Sequence, residues 1–155
     1  MVRLVDLPEY EREHLLSKNM PPLGPTPWVD LDRPLSERKI ALITTAGLHF
    51  RDDEGFEFAD ASYRVIPGDL EGDELVMSHS SVNFDRTGFQ DDINVVFPID
   101  RFRELAAEGL VGGLATQHFS FMGAGLQPAM YEASVRKLAG LLIKDAVDTV
   151  FLTPV

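Results

Sequence analysis

The alternation of apolar runs and helical stretches that begins near Asn94 limits this chain more than any other feature. A strand-length run at 94–97 leads into a helix from Pro98. VGGLATQHF, a second helix over about residues 128–145, and VDTVFLTPV follow in turn. Strands separated by helices cannot form hairpins, and each helical crossover returns the chain in the same direction. The pattern predicts an α/β fold: a doubly wound, Rossmann-like, three-layer arrangement on a mainly parallel sheet. KIALITTAG, a short apolar run bounded by charge and glycine, reads as its first buried strand. Residues 40–44, 114–118 and 149–152 are expected to be mutually parallel. SYRVIP is a further strand, ELVMSH a weaker one, and RDDEGFEFADA a loop. In the first helix Ile99, Phe102, Leu105 and Ala106 share a face, and Gly109 ends it. In the second, Met130, Ser134, Leu138, Leu141 and Leu142 form the buried stripe.

The 155 residues suit one core. Residues 39–155 are read as a single α/β domain and residues 1–38 as an extended N-terminal arm. The arm holds a short helical stretch, YEREHLLSKN, and then PPLGPTPW, whose prolines favour extended backbone. Trp28 is expected to pin it to the body or to a second protomer, and arms of this kind point to a homo-oligomer. A formal net charge of -11 disfavours nucleic acid and anionic membrane surfaces. No run approaches the ~18 apolar residues of a membrane span, and the charged N-terminus lacks a signal-peptide core, so a cytoplasmic location is expected. With no cysteine in the sequence, a bound metal would have to use His, Asp or Glu.

In parallel sheets ligands bind beyond the carboxyl ends of the strands. There lie Thr45 and His49 after the first strand, Ser78-His79-Ser80 after the weaker one, and His118, Ser120 and Gly123 in HFSFMG. Three imidazoles on one edge could ligate a divalent metal or move protons near neutral pH. Separate, backbone-bonded histidines are the plainer reading. SHSSVNFDRTGFQDDIN, residues 78–94, reads as a long loop roofing those ends. In it Asp85 is a candidate catalytic acid beside His49, His79 and His118, while Arg86 and Asn94, with Arg101 on the helix, are candidate substrate ligands; arginine clamps carboxylates bidentately. Asn94 and the helix-opening Asp100-Arg101 also have ordinary capping roles. No G-x-G-x-x-G appears, which disfavours nicotinamide or flavin.

TTAGLHF at 44–50, YRVIPGD at 63–69, SHSSVNFD at 78–85, DINVVFPIDRFRELAAEG at 92–109 and HFSFMGAG at 118–125, with PTPW at 25–28, are together specific. Through them the chain resembles the selenoprotein B family of glycine, sarcosine, betaine and D-proline reductases. The resemblance implies reductive cleavage of a carbon–nitrogen bond in a small amino acid or amine, with thiol electrons. It also implies a selenocysteine or cysteine nucleophile just after a strand like VFLTP. The sequence given stops at Val155, where that motif would begin, so the resemblance covers scaffold rather than redox centre: the motif follows in a longer chain, a partner reductase subunit supplies the nucleophile, or the chain is a short relative with different chemistry. A metal-dependent enzyme using the histidines, and a non-catalytic assembly subunit, are the competing readings.

Overall fold

Lys39–Thr44 (β1) forms the centre of the main sheet because KIALIT is apolar on both faces and meets a strand on each side. In the computed structural model, which describes residues 3–17, 24–26, 28–81 and 86–155, Thr149–Thr153 (β7) runs parallel to β1 on one side. On the other side Gly113–Leu114 (β5) and Gln117–Phe121 (β6) also run parallel to it. The three parallel segments read from the sequence therefore stand. Tyr63–Pro67 (β3) pairs antiparallel with β6 and closes the far edge. Leu48–Phe50 (β2) and Leu75–Met77 (β4) form a separate antiparallel pair, so ELVMSH does not join the main sheet. The result is an α/β fold with a mainly parallel central sheet and a small antiparallel one.

β5 and β6 are one strand broken by a bulge. Ile40 faces Leu114 and Ile43 faces Phe119, three steps along β1 against five along its partner. Side chains and turns satisfy the displaced backbone groups. Thr116 N–H donates to Asp145 Oδ2 at 2.7 Å, Thr116 O accepts from Gly68 N at 2.9 Å, and Leu42 N–H donates to His118 Nδ1 at 3.0 Å.

Glu9–Leu16 (α1) precedes the sheet, and Thr87–Asp91 (α2) replaces part of the expected long loop, followed by a 3-10 turn over Ile93–Val95 where strand pairing was expected. Ile99–Ala107 (α3) and Glu132–Lys144 (α4) cover opposite faces of the sheet. Phe102, Leu105 and Ala106 of α3 pack onto Ile40, Leu42 and Ile66, whereas Leu138, Leu141 and Leu142 of α4 pack onto Ile43, Phe119 and Phe121. Met130 is a correction: it sits in a 3-10 turn before α4 and is exposed. Trp28 is another. It is 82 % exposed on this chain and donates its Nε1–H to Asp30, so it is not packed against residues 39–155. Residues 33–38 do attach: Gly112 N–H donates to Leu35 O, and Arg33 reaches Asp148 at 3.5 Å.

α4 ends in a Schellman turn. Val147 N–H donates to Leu142 O and Ala146 N–H to Ile143 O, both at 3.0 Å, with Ala146 at φ 52°. An L-residue with a Cβ is strained in that left-handed conformation. Ala146→Gly is expected to raise the unfolding free energy by about 0.5–1 kcal/mol, read as a higher urea midpoint at unchanged slope.

Candidate functional site

The carboxyl ends of β1 and β6 are stitched together before anything covers them. Gly47 N–H donates to Phe121 O at 2.8 Å, and Thr45 Oγ1 accepts from Val155 N at 2.9 Å, which draws in the residues after β7. The segment 78–81 then crosses these ends. Ser78 N–H donates to Gly47 O at 2.9 Å, and Ser80 Oγ–H donates to Met122 Sδ at 3.2 Å. Met122 is fully buried. The first residues of SHSSVNFD thus do lie over the strand ends; Val82, Asn83, Phe84 and Asp85 fall outside the described residues.

His79 is the buried imidazole of this crossing segment. Its Nδ1 accepts from Ser81 N at 3.2 Å, so in the neutral ring the proton sits on Nε2. Burial holds its pKa below the ordinary 6.5, and the positive charge of Arg86 pushes the same way. The Arg86 guanidinium donates to the His79 and Ser81 carbonyls. Its Nη2 therefore braces the segment from the backbone side.

A largely apolar cavity of about 280 Å³ opens at the same edge, lined by Thr45, Phe121, Gly123, Pro128, Tyr131 and Val135. Burial raises the pKa of the Tyr131 hydroxyl. This residue carries no sequence signal as a site group, because a lone tyrosine before a helix looks like packing.

His49 and Ser78 form a pair of their own. His49 lies within β2, with Nδ1 2.6 Å from Phe50 O and Nε2 2.6 Å from Ser78 Oγ. A carbonyl only accepts, so Nδ1 carries the proton and Nε2 accepts from the serine hydroxyl. A hydroxyl hydrogen-bonded to an oriented imidazole can relay a proton. The loop 51–62 folds over the pair. Gly55 stands so close that a Cβ there would be 3.2 Å from Ser78 Oγ, and Phe56 meets the His49 ring edge-on. Arg64 fastens this loop, donating to Glu54 O at 2.9 Å and Gly55 O at 3.0 Å with its guanidinium 4.3 Å above the Phe56 ring. Arg64 stands in YRVIPGD, but nothing in the sequence alone assigns it that fastening role.

The other residues read from the sequence go to structural positions. His118 is not beyond a strand but inside β6, fully buried, with Nδ1 on Leu42 N–H. The bulge shifts it back into the sheet. Ser120 Oγ accepts from Leu48 N at 2.7 Å, buried between the sheets. Asn94 Oδ1 accepts from Asp100 N at 3.0 Å and its Nδ2 donates to Asp92 and Asp100, which fixes the start of α3. Arg101 is exposed on α3 and paired with Glu104 at 3.1 Å. The three imidazoles make separate hydrogen bonds, and among the described residues no three His, Asp or Glu side chains come together to hold a metal ion. Nor is any described helix long and apolar enough to cross a membrane.

Residues 8–155 match the family described as glycine/sarcosine/betaine reductase selenoprotein B. The chain is 38 % identical over 135 residues to the D-proline reductase subunit gamma of Acetoanaerobium sticklandii, covering 85 % of this chain and 55 % of that one. It is 34 % identical to the glycine reductase complex component B subunit gamma of Symbiobacterium thermophilum, over 77 % of this chain and 29 % of the relative. It is 28 % identical to the sarcosine reductase complex component B subunit beta of Peptoclostridium acidaminophilum, over 77 % and 28 % respectively. The chain thus spans about half the length of the first relative and under a third of the others. No solved structure matches it. The match along nearly its whole length places this chain in the glycine/sarcosine/betaine reductase selenoprotein B family.

Proposed function

We propose that the chain is a subunit of a cytoplasmic reductase complex acting on a small amino acid or amine, built on a doubly wound, Rossmann-like frame. The reaction replaces a C–N bond by C–H and N–H. A dithiol supplies the two electrons and two protons and leaves as a disulfide. The thiol or selenol that attacks the substrate comes from outside these 155 residues, which hold no cysteine. The observation that carries this reading is the family match over residues 8–155, together with a His79 segment laid across the strand ends where α/β sheets bind ligands. His79 handles a proton at the leaving nitrogen. The neighbouring apolar cavity takes the aliphatic part of the substrate, and the Ser78–His49 pair is a second route for a proton.

The test is reconstitution with the remaining subunits of the complex, dithiothreitol as donor, and glycine, sarcosine, betaine and D-proline offered separately. Turnover is expected to require this chain. His79→Gln is expected to lower kcat on the order of 100-fold with KM little changed, while His14→Gln, in the arm, leaves both as they are. Turnover that is indifferent to the presence of the chain would refute the proposal. An assembly role for the arm is the second reading, favoured by Trp28, Val29 and Leu31 standing exposed.

A further inference from the structure

The two edges of the main sheet are built differently. β3 carries Arg64 and ends in Pro67, features that discourage another strand from pairing there. β7 reads TVFLT, with no charge, no proline and strong strand formers throughout. Both its faces are apolar and open: Phe151 is 42 % exposed on the α3 side and Leu152 66 % exposed on the α4 side. Among the described residues no strand pairs with its outer side, and a bare edge of this composition recruits a further strand.

Hydrogen-bond parity shows which groups are on offer. Thr153 O accepts from Thr45 N, so within β7 the odd-numbered residues turn their backbone groups towards β1. The N–H and C=O groups of Val150 and Leu152 therefore point outward. The run is also nearly symmetric about its centre. Turned antiparallel against itself, it sets Thr149 opposite Thr153, Val150 opposite Leu152, and Phe151 opposite Phe151. In that register the outward pairs 150 and 152 each exchange two backbone hydrogen bonds, and like residue classes meet on each face.

From these features we infer that β7 pairs antiparallel with β7 of a second copy of this chain, about a two-fold axis through Phe151, to make one sheet across two protomers. The interface is isologous, as a two-fold dimer requires. It is independent of the catalytic reading, because it uses an edge and not the strand ends.

The absence of cysteine makes the test clean, since each introduced thiol is the only one in its chain. Phe151→Cys is expected to form a disulfide with its own copy in most chains on mild oxidation. Thr149→Cys and Thr153→Cys are expected to crosslink when mixed and much less when each is oxidised alone. Val65→Cys, on the β3 edge, should not crosslink. Light scattering should give twice the chain mass for the unaltered protein and a single chain mass for Leu152→Lys, with an unchanged circular dichroism spectrum. A single chain mass for the unaltered protein at micromolar concentration overturns the inference. So does a Leu152→Lys protein that stays dimeric, or crosslinking at 65 as efficient as at 151.

Discussion

Lowering the pH from 7.5 to 4.5 is expected to remove roughly 2–3 kcal/mol of folding free energy through His118 alone. The imidazole is fully buried, and burial pushes its pKa down from 6.5 to about 4, with the charge of Arg103 adding to the effect and that of Asp145 opposing it. In the unfolded chain the ring takes up a proton near its ordinary pKa. In the folded chain it stays neutral until the pH is much lower. Between those values the unfolded state binds more protons, so stability is complete above about 6.5 and drains away as pH falls towards 4. The protonated ring would also lose the lone pair on Nδ1 that holds Leu42 N–H. His118→Asn keeps an acceptor near the Nδ1 position and cannot titrate. It is expected to cost about 1–2 kcal/mol at pH 7.5 and to flatten the acid slope. His118→Ala leaves a buried amide unpaired beside a cavity and is expected to cost about 3–4 kcal/mol. Urea unfolding of the three proteins at several pH values checks this. An identical acid slope in His118→Asn would show that other groups carry it, His79 among them, since its pKa is also held down.

Gly123→Ala is expected to cost about 2–4 kcal/mol and to disturb the candidate site with it. Two costs coincide there. Gly123 has φ +78°, and an added Cβ would stand 2.7 Å from both Thr45 Cβ and Thr45 O. The carbonyl belongs to the backbone and cannot swing aside, so the end of β1 or the turn after β6 must shift. Thr45 is also the residue that holds Val155, so the shift reaches the segment beyond β7. Gly109 isolates the torsional part, because it has φ +73° with nothing within 4 Å of the added Cβ. Gly109→Ala should cost only about 1 kcal/mol. If denaturation gives equal losses for the two variants, the close approach of Gly123 to Thr45 has no energetic weight.

The sequence makes the central strand and the two large helices legible because their patterns are long. KIALIT has the apolar run of a strand buried on both faces, TVFLT has a similar run although it lies at the sheet edge, and Phe102 with Leu105 and Ala106 falls on one helical face. What is hidden depends on partners that no local pattern carries. β2 and β4 are three residues each, too short for alternation to speak. The direction of β3 is a tertiary choice, since SYRVIP looks the same either way. The bulge at Ala115–Thr116 has no turn signal, yet it moves His118 from a strand end into the core. For the candidate site, residues 78–81 do cross the strand ends, but they arrive from an antiparallel strand outside the main sheet and not from the parallel strand the rule assumed. The pairing of His49 with Ser78 was not legible, because it depends on β2 and β4 lying side by side. Asn94 and Ser120 show the same limit: their residue types suit a ligand site, and only the fold reveals that backbone amides already occupy them.

β1 pairs on both sides with strands made far later in the sequence, Ile40 meeting Leu114 on one flank and Thr149 on the other. On the ribosome, where chains grow at about 5–20 residues per second, IALIT therefore waits on the order of ten seconds for its last partner. For that interval the most apolar strand of the protein is an open template. Folding is consequently late, dominated by distant pairings and slow for the size of the chain. Yield in the cell should depend on how well that waiting strand is shielded during translation.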